Sequence, residues 1–189
     1  MNIKSFFGLA AAGIILGSCQ SDTYQINGFA KDFMEGDTIC LTLEETPDKI
    51  LGYTTVSQGK FAMTGTTDTI LLCRIFPSKQ PESAATCFVE PGTITVELNC
   101  PPHPSRVSGT TINNNWQQLN DSVRLIGQEL IHIAQTSAGT CDTIHLENLH
   151  AVDSLHRKMS ECILHTAKRN KDNALGRYIQ ENYKEPEFK

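Results

Sequence analysis

The chain has 189 residues, a formal net charge of −5 at pH 7 and 39% hydrophobic residues. This length is enough for one domain, or for one domain with an appendage, that buries a core of its own. The acidic balance, without a compensating basic stripe, argues against nucleic acid as a partner.

The first eighteen residues have the layout of an export signal. Lys4 supplies positive charge, residues 6–16 are apolar, and Gly17-Ser18 are the small residues that a signal peptidase requires. The apolar run is shorter than the roughly 20 residues that a membrane-spanning helix needs. We therefore predict that residues 1–18 are a signal peptide.

The stretch Leu16-Gly17-Ser18-Cys19 resembles a bacterial lipobox. The resemblance implies that the Cys19 thiol is diacylated, that the signal is cut before it and that the new amino terminus is acylated. Acyl chains contribute about 0.8 kcal/mol per buried CH₂, so they would hold the protein on a membrane without a protein span. An ordinary secretory signal with an incidental cysteine is the alternative.

Residues 19–23 would then be the lipidated cysteine and a short polar tether. Gln20-Ser21-Asp22 also resembles the signals that send some lipoproteins to the cell surface. We expect a location in the bacterial cell envelope, at the outer membrane, on either its periplasmic face or the cell surface.

Residues 24–108 show the period of β-strands. Apolar residues alternate or form short runs, and turn signals such as Glu35-Gly36-Asp37 and Glu90-Pro91-Gly92 separate them. Pro91-Gly92 suits the two central positions of a type II turn. The pattern predicts about seven short antiparallel strands, as a sandwich or a partly open barrel.

Residues 109–189 change to the period of helices. An apolar heptad stripe predicts a first helix capped by Thr110 or Thr111, and residues 137–140 end it. A second helix is predicted from Asp142 to about Lys168, and Asp172-Asn173 can cap a short third one. The stripe comprises Ile112, Trp116, Leu119, Val123, Ile126, Leu130 and Ile133. The short connection predicts an antiparallel hairpin within an α+β fold, and such a hairpin can also pair with a copy of itself as a homodimer.

Four stretches resemble a known family, the domain of unknown function at the N-terminus of thioredoxin-like thiol:disulfide interchange lipoproteins. They are "GKFAMTG" (59–65), "FVEPGTITV" (88–96), "VSGTTINN" (107–114) and "NKDNALGRY" (170–178). The resemblance implies a β-rich domain and linker helices in front of a thioredoxin fold that carries a Cys-x-x-Cys pair. No two cysteines here have that spacing, and the sequence ends where that fold would begin. We therefore expect the family's uncharacterised half without its redox chemistry.

Six cysteines remain besides Cys19, and an exported protein can keep disulfides. Cys141 and Cys162 bracket one predicted helix, about 31 Å apart, so they cannot pair. Cys87 would face Val96 across the Pro91-Gly92 turn, which makes Cys100 a poor partner for it. We predict that Cys162 returns toward Cys100, and that Cys141 is a free or intermolecular thiol at the hairpin tip. Burial of most of the six as small apolar residues is the alternative.

The remaining candidate chemistry is sparse. The histidines at 132, 145, 150, 156 and 165 lack the spacing of a helical zinc pair, so exposed helix positions are expected. Cys100 and His103 are separated by two prolines and have no third group to orient them. Neither a Gly-x-Ser-x-Gly elbow nor a phosphate loop occurs. We expect no enzymatic activity, no metal and no cofactor.

Aspartate, hydroxyl and aliphatic residues recur as a triplet. The triplet resembles the acceptor of a general O-glycosylation system for exported proteins in one Gram-negative lineage. The candidate acceptors are Thr38, Thr69, Ser122, Thr143 and Ser154. Structural roles compete with this interpretation, because Asp142 could cap a helix and Asp37 and Asp68 could end turns.

Two functional hypotheses follow. The first is a non-catalytic, lipid-anchored envelope protein that binds an envelope partner, or acts as an adapter or spacer at the membrane. The second is an accessory or remnant of a thioredoxin-like oxidoreductase, acting through Cys141 or by supplying this half to a separately encoded thioredoxin-like partner. The missing Cys-x-x-Cys favours the first, since dithiol exchange needs a low-pKa thiolate with a resolving thiol nearby.

Overall fold

The computed structural model describes residues 22–136 and 142–184, and the side chains of residues 142–147 are outside the description. Within these ranges eight strands precede three α-helices, and a short 3-10 helix, Pro81–Ser83, lies between the fifth and sixth strands. The strands are β1 Thr23–Phe29, β2 Thr38–Leu43, β3 Ile50–Thr55, β4 Lys60–Thr66, β5 Leu71–Pro77, β6 Ala85–Val89, β7 Gly92–Glu97 and β8 Arg106–Ser108. The helices are α1 Thr111–Thr136, α2 Asp142–Arg169 and α3 Ala174–Asn182. None of the described helices is long and apolar enough to cross a membrane.

The strands form two four-stranded sheets. The front sheet has the order β4-β1-β7-β8 and the back sheet the order β3-β2-β5-β6. Neighbouring strands are antiparallel except β1 and β7, which are parallel with Ile26 beside Ile94. The chain can place these two strands in parallel because it passes through the back sheet between them. The α+β prediction with an unclosed sandwich is confirmed.

The core of the sandwich lies between the two sheets. Ile26 and Val96 of the front sheet pack in one cluster with Ile39 and Ile75 of the back sheet, and all four are fully buried. Full burial of such a side chain contributes about 1.5 to 3 kcal/mol. The alternation of the sequence therefore places one apolar face of each sheet inward.

The expectation that the strands on either side of Pro91-Gly92 pair with each other, with Cys87 facing Val96, is wrong. β6 belongs to the back sheet and β7 to the front sheet, so the segment crosses between sheets. Gly92 does have a positive φ of 125°, which explains the glycine. The physical reason for the crossing is that β6 is apolar on both faces, with Cys87 in the sandwich core and Phe88 under the helices. Cys87 consequently faces Cys73 of β5 instead of Val96.

The three helices begin and end close to the predicted positions, and the prediction of an antiparallel hairpin is confirmed. At the sandwich end the Asn115 side chain, near the start of α1, donates to Asn170 Oδ1 just after α2 at 3.0 Å. Asn173 caps α3, since its Oδ1 accepts from the backbone N–H of Leu175 at 3.0 Å and of Gly176 at 3.2 Å. These contacts tie the three helices together at one end.

The first turns of α1 cover one edge of each sheet. Asn113 Oδ1 accepts from Phe88 N at 2.9 Å and its Nδ2 donates to Phe88 O at 2.7 Å, so one side chain occupies the free edge of β6. Gln117 Oε1 accepts from Val107 N of β8 at 2.8 Å. Side chains of α1 thus replace a further strand on this side of the sandwich. On the opposite side the edge strands are β3 and β4, and no described element covers them.

Candidate functional site

A groove of about 700 Å³ lies between the outer face of the front sheet and α1. Its floor follows from strand register, because Phe29 lies beside Glu97, and Glu97 lies beside Arg106. Thr95 and Ser108 form the next row. These residues alternate with the buried ones of β1, β7 and β8, so they all face away from the core.

An ion pair joins the floor of the groove to its helical wall. Arg106 binds Asp121 of α1 with both guanidinium nitrogens, at 3.0 Å from Nη1 to Oδ1 and 2.6 Å from Nη2 to Oδ2. Gln117 Nε2 donates to the same carboxylate at 3.2 Å, and Arg124 lies at 3.4 Å. A partly exposed pair of this kind adds only about 0 to 1 kcal/mol, so its main effect is to hold the wall at a set distance from the floor.

The ion pair also sets the charge of Asp121. Partial burial raises the pKa of this carboxyl, but the hydrogen bond and the positive charge of Arg106 outweigh burial, and the pKa is lowered overall. Asp121 is therefore ionised at neutral pH and Arg106 is neutralised locally.

Several other groove side chains make no hydrogen bond or ion pair with the described part of the chain. They are Lys31 and Glu97 on the sheet side and Gln118 on the helix side. With Arg106 and Asp121 paired, Lys31 and Glu97 contribute one charge of each sign. The groove thus presents free donors and acceptors with no net charge, which suits the binding of a polar partner.

No pattern in the sequence marks this groove. Arg106 and Asp121 are 15 positions apart and belong to a strand and a helix, so no motif connects them. The sequence offers one indirect signal. Polar and apolar residues alternate in β8, which predicts that Arg106 and Ser108 face away from the core.

The candidate glycosylation residues occupy different environments. Thr69 and Ser154 are exposed, whereas Thr38 in β2 and Ser122 in α1 are half-buried. Ser122 lines the groove, and its Oγ donates to Gln118 O at 2.9 Å. Thr143 lies in α2, but its side chain is outside the description.

The aspartate of one triplet has a structural role. Asp37 Oδ2 accepts from Met34 N at 2.9 Å, as expected for a residue that ends a turn, and Oδ1 pairs with Lys79 at 2.8 Å. The hydrogen bond from Lys79, followed by that from Met34, lowers the pKa of Asp37. The triplet pattern therefore has a local explanation at Asp37, as it has at Asp121.

The described cysteines, residues 40, 73, 87, 100 and 162, are all free thiols, and the first three are buried. Burial raises the pKa of Cys73 to about 12, and it also raises the pKa of Cys87 and Cys40. These three thiols are thus protonated at neutral pH and poor nucleophiles. Cys19 and Cys141 lie outside the described residues.

Cys100 and Cys162 do not form one site. Cys100 packs against the sandwich core, and its Sγ donates to Gln80 Oε1 at 3.3 Å. Cys162 packs against the cluster that α1 and α3 form over Phe88. Cys162 and Cys100 therefore belong to different clusters, and the expected approach of Cys162 to Cys100 does not bring the two thiols into one site.

The histidines that the structure describes on the helices are exposed, as predicted. His132, His150, His156 and His165 are exposed on α1 and α2, and the side chain of His145 is outside the description. Among the described residues, no three histidine, cysteine or acidic side chains come together as a metal site would require.

The fold and groove define a class, an open β-sandwich whose free edges on one side are covered by a helix. Residues 24–116 match the family described as "Domain of unknown function (DUF4369)". The match ends at residue 116, so it includes the start of α1 with Asn113 and Trp116, and the rest of the helix lies beyond it. No curated protein matches the chain.

Proposed function

We propose that the protein is a lipid-anchored, non-catalytic binding module of the bacterial cell envelope, and that its groove holds an envelope partner. The observation that carries the proposal is the Arg106–Asp121 pair, which preforms the groove, together with the free polar side chains around it. Cys19 supplies the anchor, at the outer membrane.

The finer assignment, to the N-terminal half of thioredoxin-like lipoproteins, rests on the four sequence stretches. Two of them contain glycines that the fold requires. A Cβ at Gly109 would collide with the Thr93 carbonyl oxygen, and one at Gly176 would collide with that of Asn170. The stretches therefore describe how this fold is built, and they support shared architecture more than shared redox chemistry.

Acylation of Cys19 is tested by labelling and fractionation. We expect full-length protein to incorporate radiolabelled palmitate and to sediment with membranes, and Cys19→Ser to lose both properties. Cys162→Ser is the matched control, because it removes another thiol and should leave both properties unchanged. Unchanged fractionation of Cys19→Ser would contradict the anchor.

The groove is tested by site-specific photo-cross-linking in intact cells. A photoreactive residue at Gln118, which is exposed in the groove, should give an adduct of discrete mass with an envelope protein. The same residue at Glu181, which is exposed on α3, should not. Adding Arg106→Ala should weaken the Gln118 adduct, because the wall loses its charged link to the floor and keeps only the hydrogen bond between Gln117 and Val107. Equal adducts at both positions would argue against the groove.

The oxidoreductase alternative is separated by an insulin-reduction assay. The raised pKa values of the buried thiols disfavour exchange. We expect no activity above background for the full chain. Activity that disappears in Cys141→Ser would instead support a redox role.

O-glycosylation is a separate proposal for the surface. Thr69 and Ser154 are the acceptors that their exposure favours, and a glycan there would leave the groove open. The intact mass of protein from its native host should exceed that of the lipidated polypeptide, and Thr69→Val with Ser154→Ala should remove the excess.

A further inference from the structure

The back sheet has an apolar edge that nothing in the described chain covers. β3 pairs with β2 on one side, and on its other side it has no ladder partner among residues 22–136 and 142–184. Its large side chains are unusually exposed, with relative exposures of 76% at Tyr53, 56% at Ile50 and 41% at Leu51. Natural sheets rarely leave such an edge open, because unpaired N–H and C=O groups recruit another strand.

Hydrogen-bond alternation identifies which backbone groups face outward. Ser78 N donates to Thr38 O at 2.9 Å, so the backbone of Thr38 faces β5 and that of its neighbour Ile39 faces β3. Ile39 is opposite Thr54, which is therefore bonded to β2. The flanking residues Tyr53 and Thr55 consequently direct their N–H and C=O groups away from the sheet.

We propose that β3 is a dimer interface, at which two copies of this chain pair edge to edge and antiparallel about Tyr53. In this register the two Tyr53 residues exchange a pair of hydrogen bonds, and Leu51 of each copy faces Thr55 of the other. The two back sheets become one continuous sheet, and the two tyrosines form a cross-strand aromatic pair. This inference is independent of the function proposed for the groove.

Charge favours a second copy as the occupant. Residues 51–55 carry no charge in a chain of net charge −5, so two copies can approach here without like-charge repulsion. The register also places Lys49 of one copy beside residues 57 and 58 of the other. Glu35 lies there, since its Oε2 accepts from Gln58 N at 2.7 Å. At each end of the paired strands, Lys49 of one copy thus lies near the carboxylate of Glu35 of the other.

Cross-linking of the full chain in membranes tests the interface. Tyr53→Cys treated with a short bis-maleimide should give a covalent dimer. Thr64→Cys, on the exposed edge strand β4, is the matched control and should not. The unmodified chain measures the background from its own cysteines. Leu51→Cys co-expressed with Thr55→Cys should cross-link, whereas Leu51→Cys alone should not, which tests the register.

Charge substitution provides the second test. Tyr53→Lys and Tyr53→Asp should each be monomeric in detergent by light scattering, and an equal mixture should regain the dimer mass. The exposure of Tyr53 makes misfolding unexpected, and an unchanged thermal midpoint would verify this. Monomeric unmodified protein, equal cross-linking at positions 53 and 64, or attachment of Tyr53→Cys to a different protein would overturn the proposal.

Discussion

Cys73 and Cys87 lie directly opposite each other on β5 and β6, and neither is exposed. Glu44 N donates to Leu72 O at 3.0 Å, so the backbone of Leu72 faces β2 and that of Cys73 faces β6. The backbones of the two cysteines therefore form a hydrogen-bonded pair of the antiparallel ladder. In such a pair the Cβ atoms are about 5.5 Å apart. A disulfide prefers about 3.5 to 4.5 Å between Cβ atoms, so strand geometry opposes a bridge.

We predict that both cysteines remain thiols in protein isolated without reductant. In the native state their burial and raised pKa should protect them from iodoacetamide, while the half-buried Cys100 reacts faster. Unfolding in denaturant should release both for alkylation, measured by mass spectrometry of peptides. A peptide that joins Cys73 to Cys87 would contradict this prediction.

Asn113 should be one of the most sensitive positions in the chain. It is fully buried, and Asn113→Ala would leave the N–H and C=O of Phe88 without partners. We expect a loss of about 2 to 4 kcal/mol in the free energy of unfolding, measured with urea. Asn120→Ala, on the exposed side of the same helix, should change it by less than about 0.5 kcal/mol. Similar values for both variants would mean that α1 does not hold the β6 edge.

Glu90 should make stability depend on pH. Its Oε1 is buried and has no hydrogen-bond partner in the described part of the chain. Burial raises the pKa of the Glu90 carboxyl, and this outweighs the hydrogen bond with Thr110, which lowers it. Protonation therefore favours the folded state, and this contribution is lost as pH rises through the folded pKa. Glu90→Gln should be more stable than the unmodified protein at pH 8, and the advantage should shrink toward pH 4. Urea unfolding across this range measures it, and a less stable variant at pH 8 would refute it.

Two glycines of the β8–α1 region should respond to alanine in opposite directions. Gly109 has a φ of 108° and no room for a Cβ against Thr93 O, so Gly109→Ala should cost about 2 kcal/mol or more. Gly127 is inside α1 with open space at its Cβ, so Gly127→Ala should add about 0.5 to 1 kcal/mol. Thermal midpoints give both signs, and a tolerated alanine at position 109 would contradict the strained connection.

The elements of this protein depend on local chemistry, and the sequence by itself determined them. The heptad stripe and Asn173 specified the helices, and the alternation around Ile26 and Ile94 specified strands with one buried face. The antiparallel hairpin followed from the short connection between α1 and α2. These features require only neighbours a few positions away, so a period and a cap are sufficient signals.

Only the tertiary structure decided which strands share a sheet. A turn at Pro91-Gly92 has the same sequence whether it closes a hairpin or crosses between sheets, and the choice was made by the burial of Phe88 under the helices. The groove and the facing cysteines follow from that choice, because Arg106 meets Asp121, and Cys73 meets Cys87, only after distant elements pack. Long-range pairing of this kind leaves no periodic pattern in the sequence. The helices and strands can therefore be predicted from the sequence, whereas the sites appear only in the tertiary structure.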